Sequence, residues 1–246
     1  MQVDFLIVGA QKSGTSALDK YMRTHSEIEM ATRKEVHFFD TDELFNGGKV
    51  DYSKYHKSFP GDTTVSIRGE STPIYMYWND APKRIWQYNP EIKLIVVLRN
   101  PIERAFSHWN MARYRGVEDM SFSDAIKAES LRCRVSLPNQ NRVFSYCDRG
   151  FYSFQLRRLW QFFPAEQVLI LKFENLKYDL KNTLSGIASF LNVGEFESSQ
   201  YIDTHSTDYV TGISLEDFNL LREIFYYEIK MLEELLGWDC EQWLNL

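Results

Sequence analysis

A loop bounded by two glycines holds the first residues that could do chemistry. Lys12 lies between Gly9 and Gly14, and the hydroxyl side chains of Thr15 and Ser16 follow directly. A short apolar run precedes the loop and a segment with helical spacing follows it, so the loop should join a strand to the start of a helix. The free backbone N–H groups at a helix start favour an anion, and an ammonium and hydroxyls add hydrogen bonds to it. These residue types predict that a phosphate or sulfuryl group binds at this loop.

The position of the lysine separates this loop from the phosphate loop of nucleoside triphosphate hydrolases. In that loop a lysine and then a serine or threonine follow the second glycine. Here Thr15 follows Gly14, and Lys12 lies within the loop. A kinase-like phosphotransferase is therefore kept only as an alternative, which Mg²⁺-dependent ATP binding would favour. A tight glycine turn with a solvated lysine is the simpler structural interpretation.

A second candidate for anion binding follows another apolar run. Arg99 comes directly after residues 93–98, and Asn100 and Pro101 are typical of a helix cap and a first helical residue. Ligands of open α/β sheets bind beyond the carboxyl ends of the strands, and an arginine there offers two parallel donors to a phosphate. Ser107 lies two helical turns later and can add a hydroxyl donor. A surface ion pair for Arg99 and an inert helical position for Ser107 are the alternatives.

The pattern of apolar residues predicts the elements that would position these groups. The runs with the length and composition of buried strands are 3–8, 93–98, 168–171 and, more weakly, 64–68. The segments with helical spacing or a helix-start signal are 15–25, 101–113, 179–191 and the one that begins after Ser214. Strands that alternate with helices are typical of a parallel sheet. We therefore predict an α/β fold: a P-loop-like parallel sheet, flanked by helices on both faces, with 3–8 as its central strand.

The composition limits the class of protein. The 246 residues include 28 Lys and Arg against 34 Asp and Glu, and a net charge of -6 argues against a general nucleic-acid binder. The sequence has no apolar run of membrane-spanning length and no secretory signal pattern, so we expect a cytoplasmic protein without membrane insertion. Its three cysteines lack metal-ligand spacing, so we predict reduced thiols and no metal site. We expect a single domain over residues 1–246, in an oligomeric state that the sequence leaves open.

Both anion-binding candidates resemble motifs of one enzyme family. Residues 9–16, GAQKSGTS, look like the 5′-phosphosulfate loop of sulfotransferases that use 3′-phosphoadenosine 5′-phosphosulfate (PAPS), and residues 98–109 look like the family's 3′-phosphate motif. The family often places further nucleotide contacts where a helix opens at Tyr152. The resemblance implies that the following residues contact the nucleotide: Lys12, Ser13, Gly14, Thr15, Ser16, Arg99, Ser107 and Tyr152.

A third segment, 34–40 (KEVHFFD), resembles the one that carries the catalytic glutamate in the heparan-sulfate branch and its bacterial relatives. The resemblance implies that Glu35 is the general base, while Lys12 neutralises charge between the sulfuryl group and its leaving phosphate. In an extended segment His37 would lie on the same face as Glu35 and could replace or assist it. A hydrogen-bonded histidine packed near Phe38 and Phe39 is the alternative interpretation of His37.

Together these motifs imply in-line transfer of a sulfuryl group from PAPS to a hydroxyl or amine, with 3′,5′-adenosine bisphosphate (PAP) as the product. We expect the acceptor to be a carbohydrate or a small natural product. A catalytically silent nucleotide-binding scaffold is the second alternative, because residues 194–217 contain no Lys or Arg where the glycan branch has a basic loop. In the absence of that basic loop, we expect Tyr209 or His205 to contact the adenosine. Ser71, which follows Glu70, also departs from the lysine of related glycan enzymes.

Overall fold

The fold was analysed in a computed structural model, which describes residues 2–62, 64–197 and 212–246. Its centre is a five-stranded parallel sheet with strand order β2-β3-β1-β4-β5. The strands are β1 (Phe5–Gly9), β2 (Ile28–Met30), β3 (Ile67–Ser71), β4 (Lys93–Leu98) and β5 (Val168–Lys172). The first strand is central, which confirms the prediction made from its apolar run.

Helices connect and flank these strands. Among the described residues they are α1 (Thr15–Thr24), α2 (Ser53–His56), α3 (Ala81–Tyr88), α4 (Pro101–Tyr114), α5 (Phe122–Val135), α6 (Tyr152–Leu159), α7 (Phe173–Tyr178), α8 (Leu180–Leu191) and α9 (Leu215–Leu236). The predicted α/β class, a parallel sheet flanked by helices, is confirmed.

Both faces of the central strands β1 and β4 are buried, because Phe5–Val8 and Leu94–Leu98 are apolar throughout. Phe5 and Ile7 of β1 belong to a core cluster that includes side chains of α1, α7 and α8. Successive side chains of a strand point to opposite faces, so Leu6 and Val8 lie on the other face, where they are also fully buried. A strand covered on both sides reads as a continuous apolar run, which is why β1 and β4 could be recognised in the sequence.

Strand β3 lies three residues later than predicted. The apolar pattern indicated 64–68, whereas β3 covers Ile67–Ser71 and ends in polar side chains. Gly69 lies opposite Phe5 in the register with β1, and a Cβ atom on Gly69 would come within 2.2 Å of the Phe5 ring. A glycine and buried polar residues hide this strand from a pattern based on apolar side chains.

The described residues form two compact units. Unit 1 contains the sheet and the described residues of 2–98 and 158–197, and unit 2 contains those of 99–157 and 212–246. The organisation as a single domain stays a prediction. Within the described residues, no helix combines the length and the apolar character needed to cross a bilayer.

Candidate functional site

In unit 1, the loop after β1 leads into α1, and its last residue, Gly14, has a left-handed backbone conformation. Gly14 is the N-cap residue with φ 86°, and its carbonyl accepts hydrogen bonds from Ala17 N–H at 3.0 Å and Leu18 N–H at 3.1 Å. A Cβ atom at this position would approach the Phe173 ring to 2.9 Å. Both the backbone conformation and the packing therefore require glycine here.

The start of α1 fits an anion. The first turn contains no acidic residue, and no side chain caps it. Ser13 is fully buried within the loop, and its Oγ has no hydrogen-bond partner among the described residues. A buried hydroxyl without a partner is costly, and an anionic oxygen bound at the positive end of the helix would satisfy it. The loop residues thus fit the phosphosulfate group that the sequence motif implies.

Three residues predicted to be catalytic share a strained backbone conformation. Lys12, Glu35 and His37 have φ values of 71°, 61° and 57°, and the other described non-glycine residue with positive φ is Asn192, at the end of α8. Such conformations cost roughly 1–3 kcal/mol each and tend to cluster at active sites. The expectation that His37 shares a face with Glu35 assumed an extended segment, and the segment is not extended. The side chains of Glu35 and His37 are nevertheless in contact.

Glu35, His37 and Asp40 form a hydrogen-bonded array. His37 Nε2 lies 3.2 Å from Glu35 Oε2, and His37 Nδ1 lies 2.9 Å from Asp40 Oδ2. Lys34 Nζ donates to Glu35 Oε1 at 3.1 Å. The sequence motif included Asp40 but gave it no role, since a contact made across a loop has no regular spacing. The array lies between solvent and core, because His37 is partly exposed and Asp40 is fully buried.

The contacts within the array shift the pKa values of Glu35 and His37 in opposite directions. Burial alone would raise the pKa of Glu35, but hydrogen bonds from His37 and Lys34, with their positive charges, outweigh it and lower that pKa to about 2. The hydrogen bond to Asp40, followed by the one to Glu35, raises the pKa of His37 to about 9 against the opposing effect of burial. At neutral pH the array therefore pairs the Glu35 carboxylate with the His37 imidazolium, which also hydrogen-bonds Asp40.

The array and the glycine loop lie at the same edge of the sheet. Glu35 N–H donates to the carbonyl of Ser71 at 3.0 Å, which ties its segment to the carboxyl end of β3. Thr72 N–H in turn donates to the carbonyl of Ile7 at 3.1 Å, beside the carboxyl end of β1 from which the loop begins. Ligands of open α/β sheets bind at this edge.

A buried carboxyl group lies behind the array. Glu70 is 1% exposed and accepts hydrogen bonds from Thr72 Oγ1 at 2.6 Å and from the Tyr55 hydroxyl at 3.3 Å. Burial raises the pKa of Glu70 to about 7, and the nearby Asp40 adds to this shift, while the hydroxyl groups of Thr72, Tyr75 and Tyr55 oppose it. Glu70 lies within β3 itself, two residues beyond the end of the strand predicted at 64–68.

An aromatic cluster holds the segment that carries the array. Phe39 makes ring contacts with Tyr55, Tyr75 and Tyr88 at centroid distances of 5.0, 5.5 and 5.6 Å. The Tyr75 hydroxyl also accepts a hydrogen bond from Phe38 N–H at 3.0 Å. These contacts pack the buried side of the segment against rings and add a hydrogen bond to its backbone. The aromatic packing expected near His37 thus coexists with the hydrogen-bonded array.

In unit 2, the residues predicted to bind the 3′-phosphate lie just before α4, in the case of Arg99, and within it, in the case of Ser107. The Arg99 guanidinium donates to Glu103 Oε2, with Nη2 at 2.6 Å and Nε at 2.9 Å. Ser107 lies within α4 and is 5% exposed. The Tyr152 hydroxyl donates to the backbone carbonyl of Arg99 at 3.1 Å, and Tyr152 is fully buried. Tyr152 thus supports the backbone beside Arg99, and its predicted nucleotide contact stays a prediction.

The residues suggested for the adenosine, His205 and Tyr209, lie outside the described residues.

Asn100, which the sequence indicated as a cap, accepts a hydrogen bond from Ile102 N–H at 3.0 Å through its Oδ1. Its Nδ2 also donates to the carbonyl of Trp243 at 3.1 Å. The cap therefore fixes the residue that follows Arg99.

Comparison with known proteins places the chain in context. The family model described as "Sulfotransferase domain" matches residues 2–217. The human heparan sulfate glucosamine 3-O-sulfotransferase 5 is 29% identical over 188 residues, which are 76% of this chain and 53% of that protein. The human bifunctional heparan sulfate N-deacetylase/N-sulfotransferase 2 is 28% identical over 200 residues, 78% of this chain and 22% of that protein. The chain thus spans about half the length of the first relative and less of the second.

Solved structures of sulfotransferases also resemble this chain. A sulfotransferase from Alicyclobacillus acidocaldarius has a TM-score of 0.83 and 27% identity, and the match covers 99% of both chains. A mouse sulfotransferase complexed with PAP has a TM-score of 0.58 and 14% identity, over 96% of this chain and 88% of that one. The second likeness is one of fold alone.

Proposed function

Because the chain belongs to the sulfotransferase domain family, we propose that it transfers a sulfuryl group from PAPS to a hydroxyl or amine of a carbohydrate or small natural product. The observation that carries the proposal is the Glu35–His37–Asp40 array at the sheet edge where the glycine loop begins. The relatives named for heparan sulfate and the structural neighbour that holds PAP support this choice of acceptor and donor classes.

The glycine loop is assigned to the anionic end of the donor. When bound, PAPS supplies the sulfuryl group and a leaving phosphate. The amides of Gly14, Thr15 and Ser16, at the positive end of α1, would hold that phosphate, and the Ser13 hydroxyl would gain its missing partner. Lys12 would balance the negative charge that develops beside the loop.

Arg99 and Ser107 are assigned to the 3′-phosphate. The Arg99 guanidinium has five N–H donors, so it can retain its contact with Glu103 and still direct a second pair of donors at a phosphate. The hydrogen bond from Tyr152 to the Arg99 carbonyl holds the backbone from which this side chain extends.

Glu35 is assigned as the general base in preference to His37. An imidazolium has no lone pair with which to accept a proton, and Asp40 and Glu35 together keep His37 in that form at neutral pH. Glu35 is ionised under the same conditions and would accept the proton of the acceptor hydroxyl, whose oxygen would replace the leaving phosphate oxygen on sulfur. His37 is then a positioning residue that orients the Glu35 carboxylate, and Asp40 fixes the ring of His37.

The proposal is tested by incubating the purified chain with PAPS carrying labelled sulfate and a panel of carbohydrates, amino sugars and phenolic natural products. We expect label in at least one acceptor, and a loss of about 10²–10⁴-fold in turnover for Glu35→Gln. Glu43→Gln, which changes an exposed glutamate in the short turn after this segment, is the matched control and should retain activity. Transfer to no acceptor by a chain that binds PAP would favour the silent scaffold.

The pH dependence distinguishes the two candidate bases. If Glu35 is the base, kcat/KM should stay level between about pH 5 and pH 8 and fall as His37 loses its proton near pH 9. If His37 is the base, kcat/KM should instead rise as the pH passes through 9. The pH profile of kcat/KM for His37→Asn adds a second check. If Glu35 is the base, this variant should keep some activity, and its profile should no longer change near pH 9.

A further inference from the structure

A buried hydroxyl group lies against the backbone that joins His37 to Asp40. Tyr75 is fully buried, and its hydroxyl accepts hydrogen bonds from Phe38 N–H at 3.0 Å and from Phe39 N–H at 3.4 Å. Phe38 and Phe39 are the two residues between His37 and Asp40 in the chain. One side-chain oxygen therefore contacts the stretch of backbone that sets how the imidazole meets Asp40.

The same hydroxyl also hydrogen-bonds to Glu70. A tyrosine hydroxyl has one hydrogen to donate and two lone pairs that accept. Because backbone amides only donate, they occupy the lone pairs, and the hydrogen is left for the Glu70 carboxyl group. A hydroxyl that donates to a carboxylate is itself polarised and accepts more strongly, so ionised Glu70 strengthens the contact of Tyr75 with the backbone.

The backbone conformation of this segment depends on such contacts. Glu35 and His37 have φ values of 61° and 57°, and these conformations persist only where the surrounding structure fixes them. The hydrogen bond from Glu35 N–H to the Ser71 carbonyl, at 3.0 Å, ties the part of the segment before His37 to β3. The Tyr75 hydroxyl ties the part that follows, so the two contacts lie on either side of His37 along the chain.

Tyr55 is a near match to Tyr75 that lacks the backbone contact. It is fully buried, its ring centroid lies 5.0 Å from that of Phe39, against 5.5 Å for Tyr75, and its hydroxyl donates to Glu70 at 3.3 Å. Within the part of the chain that the structure describes, the Tyr55 hydroxyl bonds to no backbone group of residues 34–40. The two tyrosines thus share their burial, ring packing and carboxyl partner, and differ in their contact with this segment.

We propose that Tyr75 is a positioning residue of this site, whose hydroxyl holds His37 in contact with Asp40. The inference rests on the proposed function, in which His37 orients the Glu35 carboxylate. Without this hydroxyl, the buried Phe38 N–H would lose its acceptor, and an unsatisfied buried donor favours a shift of the backbone towards another partner. Such a shift would move the imidazole away from Asp40 and leave Glu35 less well oriented.

The test compares Tyr75→Phe with Tyr55→Phe, since each variant removes one buried hydroxyl and keeps the ring. The pKa of His37 is measured by NMR titration of its imidazole without substrate, and the signal is assigned by its absence from His37→Asn. Both variants remove one donor to Glu70, so an effect carried only by the charge of Glu70 would appear in both.

The two variants should differ in the pKa of His37. The hydrogen bond to Asp40 is the largest cause that raises this pKa, to about 9. Tyr75→Phe should therefore lower it by at least about one unit, a tenfold loss of proton affinity. Tyr55→Phe should leave it near its value in the unmodified chain.

Kinetics separate positioning from donor binding. In the sulfate-transfer assay, kcat of Tyr75→Phe should fall about 10–100-fold, because a displaced base loses its alignment with the acceptor. KM for PAPS should stay unchanged, since the glycine loop assigned to the donor keeps its own contacts. The NMR titration needs no acceptor, so it decides this inference even where no acceptor is sulfated.

A Tyr75→Phe chain that is folded by circular dichroism and keeps the His37 pKa near 9 would overturn the proposal. An equal fall of that pKa in Tyr55→Phe would also contradict it, because the effect would then come from Glu70 and not from the backbone contact. If Tyr75→Phe does not fold, amide hydrogen exchange in the unmodified chain decides: Phe38 N–H should exchange at least about 100-fold more slowly than the N–H of exposed Glu43. Similar exchange rates for these two amides would refute the hydrogen bond on which the proposal depends.

Discussion

At the scale of single residues, chemistry and backbone strain coincide in unit 1. Lys12, Glu35 and His37 all adopt left-handed conformations that disfavour residues with a Cβ atom. The residue types that would be cheapest at these positions, glycine and asparagine, could not supply an ammonium, a carboxylate or an imidazole. The strain at these positions is therefore consistent with selection for side-chain chemistry over stability.

Replacing Lys12 by glycine should separate activity from stability. Lys12→Gly relieves roughly 1 kcal/mol of backbone strain, which offsets the greater freedom of glycine in the unfolded chain, so the free energy of unfolding should change by less than about 1 kcal/mol. Turnover should fall about 10²-fold or more, because the positive charge beside the loop is lost. Urea unfolding and the sulfate-transfer assay measure the two effects.

Lys12→Ala and Lys20→Ala complete this comparison. The alanine at position 12 keeps the strained conformation without the ammonium, so it should lose the same activity and be less stable than the glycine variant. Lys20 is exposed on α1, and its replacement should change neither quantity appreciably. Parallel losses of stability and activity in the glycine variant would contradict a catalytic role for Lys12.

The buried Glu70 should make stability depend on pH. Its pKa is raised to about 7 in the folded chain, from an ordinary value of 4.5, so the folded state binds the proton more tightly than the unfolded state does. The contribution of this group to stability is therefore lost as the pH rises from about 4.5 to about 7, by roughly 3 kcal/mol. Glu70→Gln is always neutral and should remove this loss.

Urea unfolding at pH 5 and pH 8 provides the measurement for Glu70. The difference in unfolding free energy between Glu70→Gln and the unmodified chain should shift in favour of the variant at the higher pH. Glu43→Gln, at an exposed position, serves as the control for the loss of one carboxylate. A difference for Glu70→Gln that is the same at both pH values would show that Glu70 does not titrate in this range.

The motifs predicted the candidate site residues themselves but not the side chains to which these residues hydrogen-bond. Lys12, Glu35 and His37 follow from a local pattern, but the contact between His37 and Asp40 depends on a loop whose successive residues have opposite signs of φ. The ion pair of Arg99 with Glu103 also lacks a regular spacing signal, since Arg99 precedes the cap Asn100 and only Glu103 lies on α4. The assigned roles of all these residues stay predictions.

At the scale of the elements, Gly14 controls how the loop enters α1. Gly14→Ala would force a Cβ atom into a left-handed position and to within 2.9 Å of the Phe173 ring. We expect a loss of about 1 kcal/mol from the backbone and about 1–3 kcal/mol from overpacking. Affinity for PAP should also fall, because the first amides of α1 would move with the loop.

Gly48→Ala isolates the backbone part of this effect. Gly48 also has positive φ, 95°, but a Cβ atom there would meet no heavy atom within 4 Å. This control should therefore cost only about 1 kcal/mol and leave PAP affinity unchanged. Equal melting temperatures for the two alanine variants would contradict the close packing of Phe173 against Gly14.

The elements recognised from the sequence are those with a continuous apolar run or a clear apolar helical face. The predicted range 93–98 coincides with β4, and the helix predicted from Pro101 begins at that residue in α4. Strand β2 is only three residues long, and the structure adds α3, α5 and α7, for which the sequence analysis gave no range. A short strand, or a helix that is buried on a narrow face, leaves too few apolar residues to define a period.

At the scale of the whole molecule, the fold class could be predicted because apolar strands alternate with helices along the chain. The division into two compact units could not, since it depends on which helices pack together far apart in sequence: α4, α5 and α9 belong to unit 2. The cytoplasmic location and the single-domain organisation stay predictions. Any ligand that binds the folded chain must nevertheless stabilise it as a whole, which gives a test that requires no acceptor.

Thermal unfolding with PAP should therefore identify the donor class. At a concentration of about 100 times its dissociation constant, PAP should add about 2.7 kcal/mol to the stability of the folded chain and raise its melting temperature. Arg99→Ala should remove most of this increase because the proposed donors to the 3′-phosphate are lost, whereas Arg115→Ala, at an exposed position, should retain it.

ATP with or without Mg²⁺ should stabilise the chain less than PAP does, because it lacks a 3′-phosphate. A Mg²⁺-dependent response to ATP without any response to PAP would instead mean that the glycine loop serves a phosphotransferase.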